Sequence, residues 1–307
     1  MSGSVPAPGP DRPESERSPR GPGRGDAQPA DPTPPPKVSR AGRNLPAAIG
    51  VGVGLGALLL MSLLVVRGAF LGVVVLAAVV GIWELSTALA TASIRIPRMP
   101  LAVGGTAMLV AAWLGGAEAL VGHLGFAVLL VLVWRMIDGA QGFVRDVTAA
   151  VFVLAYVPLL GSFVVLMLVP ADGAMRIVAF LLGVFASDTG GYIAGVLAGR
   201  HPMAPTISPK KSWEGFAGSV AGSCLAGWLT VTYALDGDAW VGVLLGVATA
   251  VTATVGDLVE SLIKRDLGIK DMGRLLPGHG GLMDRLDSIL MVAPVAWFVL
   301  SVLVPVS

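Results

Sequence analysis

Residues 147–169 read VTAAVFVLAYVPLLGSFVVLMLV, a run without one charged side chain. As a helix it would cross the ~30 Å apolar core of a bilayer, at ~1.5 Å per residue. In lipid every backbone N–H and C=O must be satisfied, which favours helices and rules out open sheets. Runs of the same kind recur at about 45–66, 68–90, 101–116, 118–134, 177–199, 215–235, 239–262 and 288–305. Together they predict an all-α, polytopic integral membrane protein of about nine transmembrane helices. The 101–116 run is the shortest and is rich in glycine.

Composition points the same way. Of 307 residues, 54% are hydrophobic and 13% charged, and mean hydropathy is +0.79. Soluble domains carry about 25% charged residues, so a soluble enzyme, a disordered protein and a secreted disulfide scaffold are excluded. Cys224 is the single cysteine and allows no internal disulfide. A net charge of +1 gives no bulk attraction to nucleic acid.

Residues 1–44 stand apart, with PAPGP, SPRGPGRG and DPTPPPK and almost no aliphatic side chain. They are expected to form a disordered Pro/Arg/Gly-rich cytoplasmic tail. They lack the apolar core of a signal peptide. Residues 45–307 would form the transmembrane domain. Placing the N-terminus in the cytoplasm puts twelve cations in inside loops and leaves only Arg67 and Arg176 outside. That bias is the positive-inside pattern, and omitting one helix would put the later basic loops on the wrong side. The expected location is the cell (inner) membrane, multi-pass.

Glycines at small-xxx-small spacing, such as Gly191/Gly195 and Gly218/Gly222, would let helices approach closely, within one chain or in a homodimer. The Gly50–Gly54 run lies inside an apolar span without a preceding strand, so it reads as helix packing rather than a nucleotide fingerprint.

The remaining charge is unevenly spread. Between Asp257 and Asp287 stand eleven charged residues, more than a third of those beyond the tail. Asp257, Glu260, Ser261 and Lys264 share one face of the eighth helix. Asp284, Asp287 and Ser288 repeat the arrangement at the start of the ninth. Between the two lies Gly278-His279-Gly280-Gly281, a backbone that phosphates can approach. Carboxylates together with phosphate oxygens are the usual ligands of Mg²⁺, and Lys264, Arg265, Lys270 and Arg274 could neutralise a polyphosphate.

Two further elements belong here. Ser187-Asp188-Thr189-Gly190-Gly191-Tyr192 interrupts the sixth apolar span with an intramembrane acid, a functional feature by default. Lys210 and Lys211 stand beside hydroxyls in Thr206–Gly215 and suit phosphate; their bland alternative is a positive-inside anchor with Ser212 capping a helix. Glu84 and Glu118 are isolated and read as structural or interfacial. Arg135, Asp138, Arg145 and Asp146 read as ordinary loop charges, and His201 as a loop residue.

Ser261-Leu262-Ile263-Lys264-Arg265, Lys270-Asp271 and Pro277-Gly278-His279-Gly280-Gly281-Leu282-Met283-Asp284-Arg285-Leu286-Asp287 together resemble the signature of phosphatidate cytidylyltransferases, also called CDP-diacylglycerol synthases. Ser187–Tyr192 and Pro209–Gly215 resemble two further stretches typical of that family. The resemblance implies transfer of the cytidylyl group of CTP to phosphatidic acid, dependent on Mg²⁺, at a cytoplasm-facing site built from about 187–215 and 257–288. It implies metal ligation by Asp257 and Asp284, with Asp287 and Asp188 as ligands or holders of a second cation. Lys264, Arg265, Lys270, Lys210 and Lys211 would contact phosphates, and His279 would bind a phosphate or assist pyrophosphate departure. Ser261, Asp271, Gly280, Gly281 and Arg285 complete the expected substrate-binding set. Two other readings compete: a membrane cytidylyltransferase for another phosphorylated lipid, and an ion-coupled secondary transporter. Against the transporter, the charges gather at one end of the helices and no repeated halves are visible. The pattern of CDP-alcohol phosphatidyltransferases is absent.

Overall fold

The computed structural model describes residues 3, 45–273, 275 and 280–306. The expected disordered tail, apart from Gly3, lies outside the described residues, as do His279, Gly278 and Arg274. Residues 43–307 form one unit. Its helices are α1 (Leu45–Val65), α2 (Arg67–Thr91), α3 (Arg98–Ile137), α4 (Phe143–Leu154), α5 (Leu160–Leu168), α6 (Gly173–Ala198), α7 (Trp213–Ala234), α8 (Ala239–Asp266) and α9 (Met283–Leu303). A π-helical turn, Ala155–Leu159, joins α4 to α5 and contains Pro158, whose missing N–H removes one helical hydrogen bond. The Ser162 hydroxyl donates to the Pro158 carbonyl at 2.6 Å. Among the described residues, six helical spans are long and apolar enough to cross a membrane.

The sequence runs map onto these elements with three differences. The expected third and fourth helices are both part of α3, which turns at Gly116 with φ 66° and ψ −156°. That conformation is open to glycine and strained for other residues. Gly104 on one limb lies against Ala127 on the other: a Cβ built at Gly104 would sit 2.9 Å from the Ala127 Cβ. A straight helix would hold two residues this far apart in sequence about 35 Å from each other, so the limbs fold back on one another.

The second difference is a pair of strands in a chain expected to be all-α. β1 (Pro202–Ala204) and β2 (Ser208–Ser212) form an antiparallel hairpin, with Pro202 opposite Ser212 and Ala204 opposite Ser208. It stands between the ends of α6 and α7, beyond the apolar spans, where Pro202, Pro205 and Pro209 disfavour helix. The third is that α6 continues unbroken through Ser187–Tyr192. The polar stretch changes what the helix presents, not its path.

Glycine governs how α6, α7 and α8 meet. A Cβ at Gly218 of α7 would collide with the Gly190 carbonyl and the Ala194 side chain of α6, and one at Gly227 would collide with the Gly242 backbone of α8. Hydroxyls reinforce these contacts. Ser219 donates to the Ser187 carbonyl at 2.8 Å, and Ser223 to the Gly246 carbonyl at 2.9 Å. The glycines of these helices are therefore used within one chain. On α1, Gly54 and Gly56 face open space instead.

Two charges read as ordinary loop residues are buried. Arg135 (6% exposed) pairs with Asp146 (1% exposed) at 3.1 Å, and Asp146 also accepts the Arg95 N–H at 3.2 Å. Their pairing joins the connections on either side of α3, because an unpartnered charge there would be costly. Arg176 on α6 likewise pairs with Asp172 at 2.8 Å and donates to the Leu300 and Val304 carbonyls, fixing the end of α9.

Close approach of α6 and α7 leads to a test. Gly218→Leu should lower the unfolding midpoint in detergent, by the equivalent of about 1–3 kcal/mol or more for overpacking. Gly54→Leu should stay within about ±0.5 kcal/mol. Equal midpoints for the two variants would contradict the glycine contact.

Candidate active site

The ends of α6, α7, α8 and α9 and the hairpin enclose a cavity of about 380 Å³. α6 contributes Ser187, Asp188, Gly191 and Tyr192; β2 contributes Lys210 and Lys211; α7 contributes Gly215, Phe216 and Ser219. Asp257 enters from α8, and Asp284, Arg285, Asp287 and Ser288 enter from the first turns of α9. Seven of the expected site residues thus line one space: Asp188, Lys210, Lys211, Asp257, Asp284, Arg285 and Asp287.

Local structure explains the convergence. The hairpin folds Lys210 and Lys211 back over the helix ends. Its base is tied down by Glu214 at the start of α7, which accepts the N–H groups of Arg200 (3.1 Å) and His201 (3.2 Å) and meets the His201 Nδ1 at 2.5 Å. His201, read as a loop residue, is therefore a partner of Glu214. Ser212 accepts the Gly215 N–H at 3.1 Å, so the expected cap is present. The glycines of α6 and α7 keep the two backbones close beside the cavity wall.

Asp257 stands at the centre. One oxygen is ion-paired with Lys211, and the other accepts from the Ser288 hydroxyl at 2.6 Å. Asp188 is close enough to feel the charges of Asp257, Lys211 and Arg285. Asp287 is close enough to Asp257 and Glu260 for their carboxyl groups to interact. The cavity therefore interleaves acids with bases.

Beside it, Lys264 bridges Glu260 (2.5 Å) and Asp284 (3.2 Å). The carboxylate of Asp284 also accepts the N–H groups of Met272 (3.1 Å) and Gly281 (2.8 Å). Asp284, expected as a metal ligand, also ties together the loop between α8 and α9. Lys264, expected at a phosphate, here holds two carboxylates. Ser261, Arg265, Lys270 and Asp271 do not line the cavity. Gly280 has φ 87° and lies near the carboxylates of Asp284 and Asp271. Gly281 lies against Glu84.

Among the described residues no three His, Cys, Asp or Glu side chains are gathered so as to hold a metal ion. The donor set nevertheless suits a hard cation, since it is all oxygen, and Asp257 already accepts the Lys211 ammonium.

Sequence reading passed over several participants. Phe216 and Ser219 line the cavity without any polar cluster to mark them. Glu84 of α2, read as structural, is 7% exposed and accepts the Met283 N–H at 2.8 Å. The signal was available, since an acid inside an apolar span is functional by default.

Comparison with known proteins identifies the chain's relatives. Residues 46–303 match the cytidylyltransferase family. A phosphatidate cytidylyltransferase of Mycobacterium bovis is 45% identical over 283 residues, covering 88% of this chain and 92% of that protein. The Mycobacterium tuberculosis H37Rv protein of the same name is 45% identical, over 88% of this chain and 86% of its own. The Mycobacterium leprae one is 44% identical, over 86% of this chain and 90% of its own. With the match running across nearly all of the helical body and the acidic and basic residues converging on one cavity, this chain belongs to the cytidylyltransferase family.

Proposed function

We propose that this protein transfers the cytidylyl group of CTP to phosphatidic acid, giving CDP-diacylglycerol and pyrophosphate for phospholipid biosynthesis. The observation that carries the reading is the cavity where Lys210, Lys211 and Arg285 face Asp188, Asp257, Asp284 and Asp287 at the ends of apolar helices. A lipid phosphate stays at the interface while its chains remain in the bilayer, and a nucleoside triphosphate arrives from water. A polar cavity at helix ends serves both.

In the reaction a phosphatidate oxygen attacks the α-phosphorus of CTP. The new P–O bond forms as the bond to the β-phosphate oxygen breaks, and pyrophosphate leaves. The attacking oxygen is already ionised, so the reaction requires neither a covalent nucleophile nor a strong base. Two anions must be brought together, so positioning and charge neutralisation supply most of the acceleration. Lys210, Lys211 and Arg285 hold phosphates in the cavity, and His279, Arg265 and Lys270 would contribute further phosphate contacts. Lys264 keeps Glu260 and Asp284 together. Asp257, Asp287 and Asp284 would hold Mg²⁺, with Asp188 toward any second cation, and Lys211 would then turn from Asp257 to a phosphate. Bound there, Mg²⁺ neutralises phosphate charge.

The topology that suits this chemistry has nine crossings. The six long apolar spans are joined by α1, by the second limb of α3 beyond Gly116, and by α7. An N-terminus in the cytoplasm places the cavity on the cytoplasmic face of the cell membrane, where CTP is made. It also places the basic loops inside, as the cation bias requires.

Liposomes containing phosphatidate and the purified protein should convert CTP to CDP-diacylglycerol with Mg²⁺ and lose this activity in excess EDTA. Asp257→Asn should insert normally yet lower kcat by about 100-fold or more. Wild-type rates in that variant would remove Asp257 from the site. Lys211→Ala should raise the KM for CTP by about 10-fold or more, as expected for a lost charged contact of 1.4 kcal/mol or above, with a smaller change for phosphatidate. An equal rise for both substrates would contradict a triphosphate contact.

A further inference from the structure

We infer that Glu84, far from the signature residues in sequence, is a positioning residue for the proposed transfer: it grips the neck of the α8–α9 loop and thereby fixes Asp284. The inference rests on the function proposed above for this site.

The neck is where the chain leaves Met272–Gly273 and returns at Gly280–Met283. Asp284 holds it from one side through the Met272 and Gly281 N–H groups. Glu84 holds it from the other. Its Oε2 accepts the N–H of Met283, the first residue of α9, at 2.8 Å. That N–H has no partner within the helix, and a carboxylate there also complements the positive end of the helix dipole. The next residue is Asp284, so the bond sets where α9 begins and where its first acid stands.

Two glycines make room for the grip. A Cβ at Gly281 would lie 2.7 Å from Glu84 Oε2 and 2.7 Å from the Gly273 nitrogen. A Cβ at Gly273 would strike the Glu84 carboxyl group, with the adjoining Cγ at 2.9 Å. The neck is thus closed between two carboxylates, with glycine required on the Glu84 side.

Stability alone does not account for the residue. Glu84 is 7% exposed, and its Oε1 is buried without a hydrogen-bond partner among the described residues. An unpaired carboxylate oxygen in an apolar bundle is destabilising. Such local conflicts gather where function imposes them.

Full-length wild type, Glu84→Ala, Glu84→Gln, Gly273→Ala and the Glu84→Ala/Gly273→Ala double variant, all in liposomes, test the inference by two readouts. In amide hydrogen exchange, Glu84→Ala should speed exchange at Met272, Gly281 and Met283 while α6 and α7 keep wild-type rates. In turnover, Glu84→Ala should lower kcat by about 100-fold, as misplacement by an ångström can, with the KM for phosphatidate within about twofold. Glu84→Gln keeps an acceptor for Met283 and should restore most of kcat. Gly273→Ala should be damaging alone and add little to Glu84→Ala, because the carboxylate it strikes is then gone.

Unchanged exchange at the neck would overturn the inference, as would faster exchange with wild-type kcat. Exchange rising throughout the helices, with both KM values rising as kcat falls, would assign Glu84 a structural role and overturn it too. If wild type makes no CDP-diacylglycerol, the proposed function itself fails, and the exchange rates alone then decide whether Glu84 holds the neck.

Discussion

Acids placed inside an apolar helical bundle must find partners, and the arrangement around Asp257 follows from that constraint. An isolated charge away from water is costly by several kcal/mol, so buried carboxylates are held by cations, hydroxyls and backbone N–H groups. Asp257 takes Lys211 and Ser288, while Asp284 takes Lys264 and two amides of the loop between α8 and α9. These partners come from four different elements. Satisfying the acids therefore assembles the hairpin, α8, α9 and the loop between them into one site.

The same pairing gives the site its chemistry. In the proposed reaction, a cavity in which ammonium and guanidinium groups already face carboxylates would exchange partners without exposing a bare charge: phosphates would take the cations and a divalent metal the acids. Close contact of α6 with α7 keeps this cavity narrow, and glycine makes that contact feasible because no Cβ stands between the backbones. Helix packing and phosphate chemistry meet along the glycine-lined wall of α6 and α7.

Much of this was legible in the sequence. Apolar runs located the helices to within a turn or so, and the crowding of charge between Asp257 and Asp287 pointed to the cavity that Asp257, Asp284, Arg285 and Asp287 line. What escaped depends on contacts between distant segments. Nothing local to Glu84 says that it meets Met283, and Arg135 and Asp146 look like loop charges until the fold buries them together. The hairpin at 202–212 is too short to show an alternating pattern. Asp284 lines the cavity, yet its grip on Met272 and Gly281 is invisible in the sequence, because spacing along a helix says nothing about which amides a loop returns.

Transfer of a cytidylyl group makes a demand on the fate of individual phosphorus atoms. Supplying purified protein and phosphatidate liposomes with CTP labelled at either the α- or the γ-phosphorus tests it most directly. Attack at the α-phosphorus predicts that the α-label enters the chloroform-soluble lipid and the γ-label is released as pyrophosphate. Lipid carrying the γ-label, or no lipid label from either CTP, would contradict it.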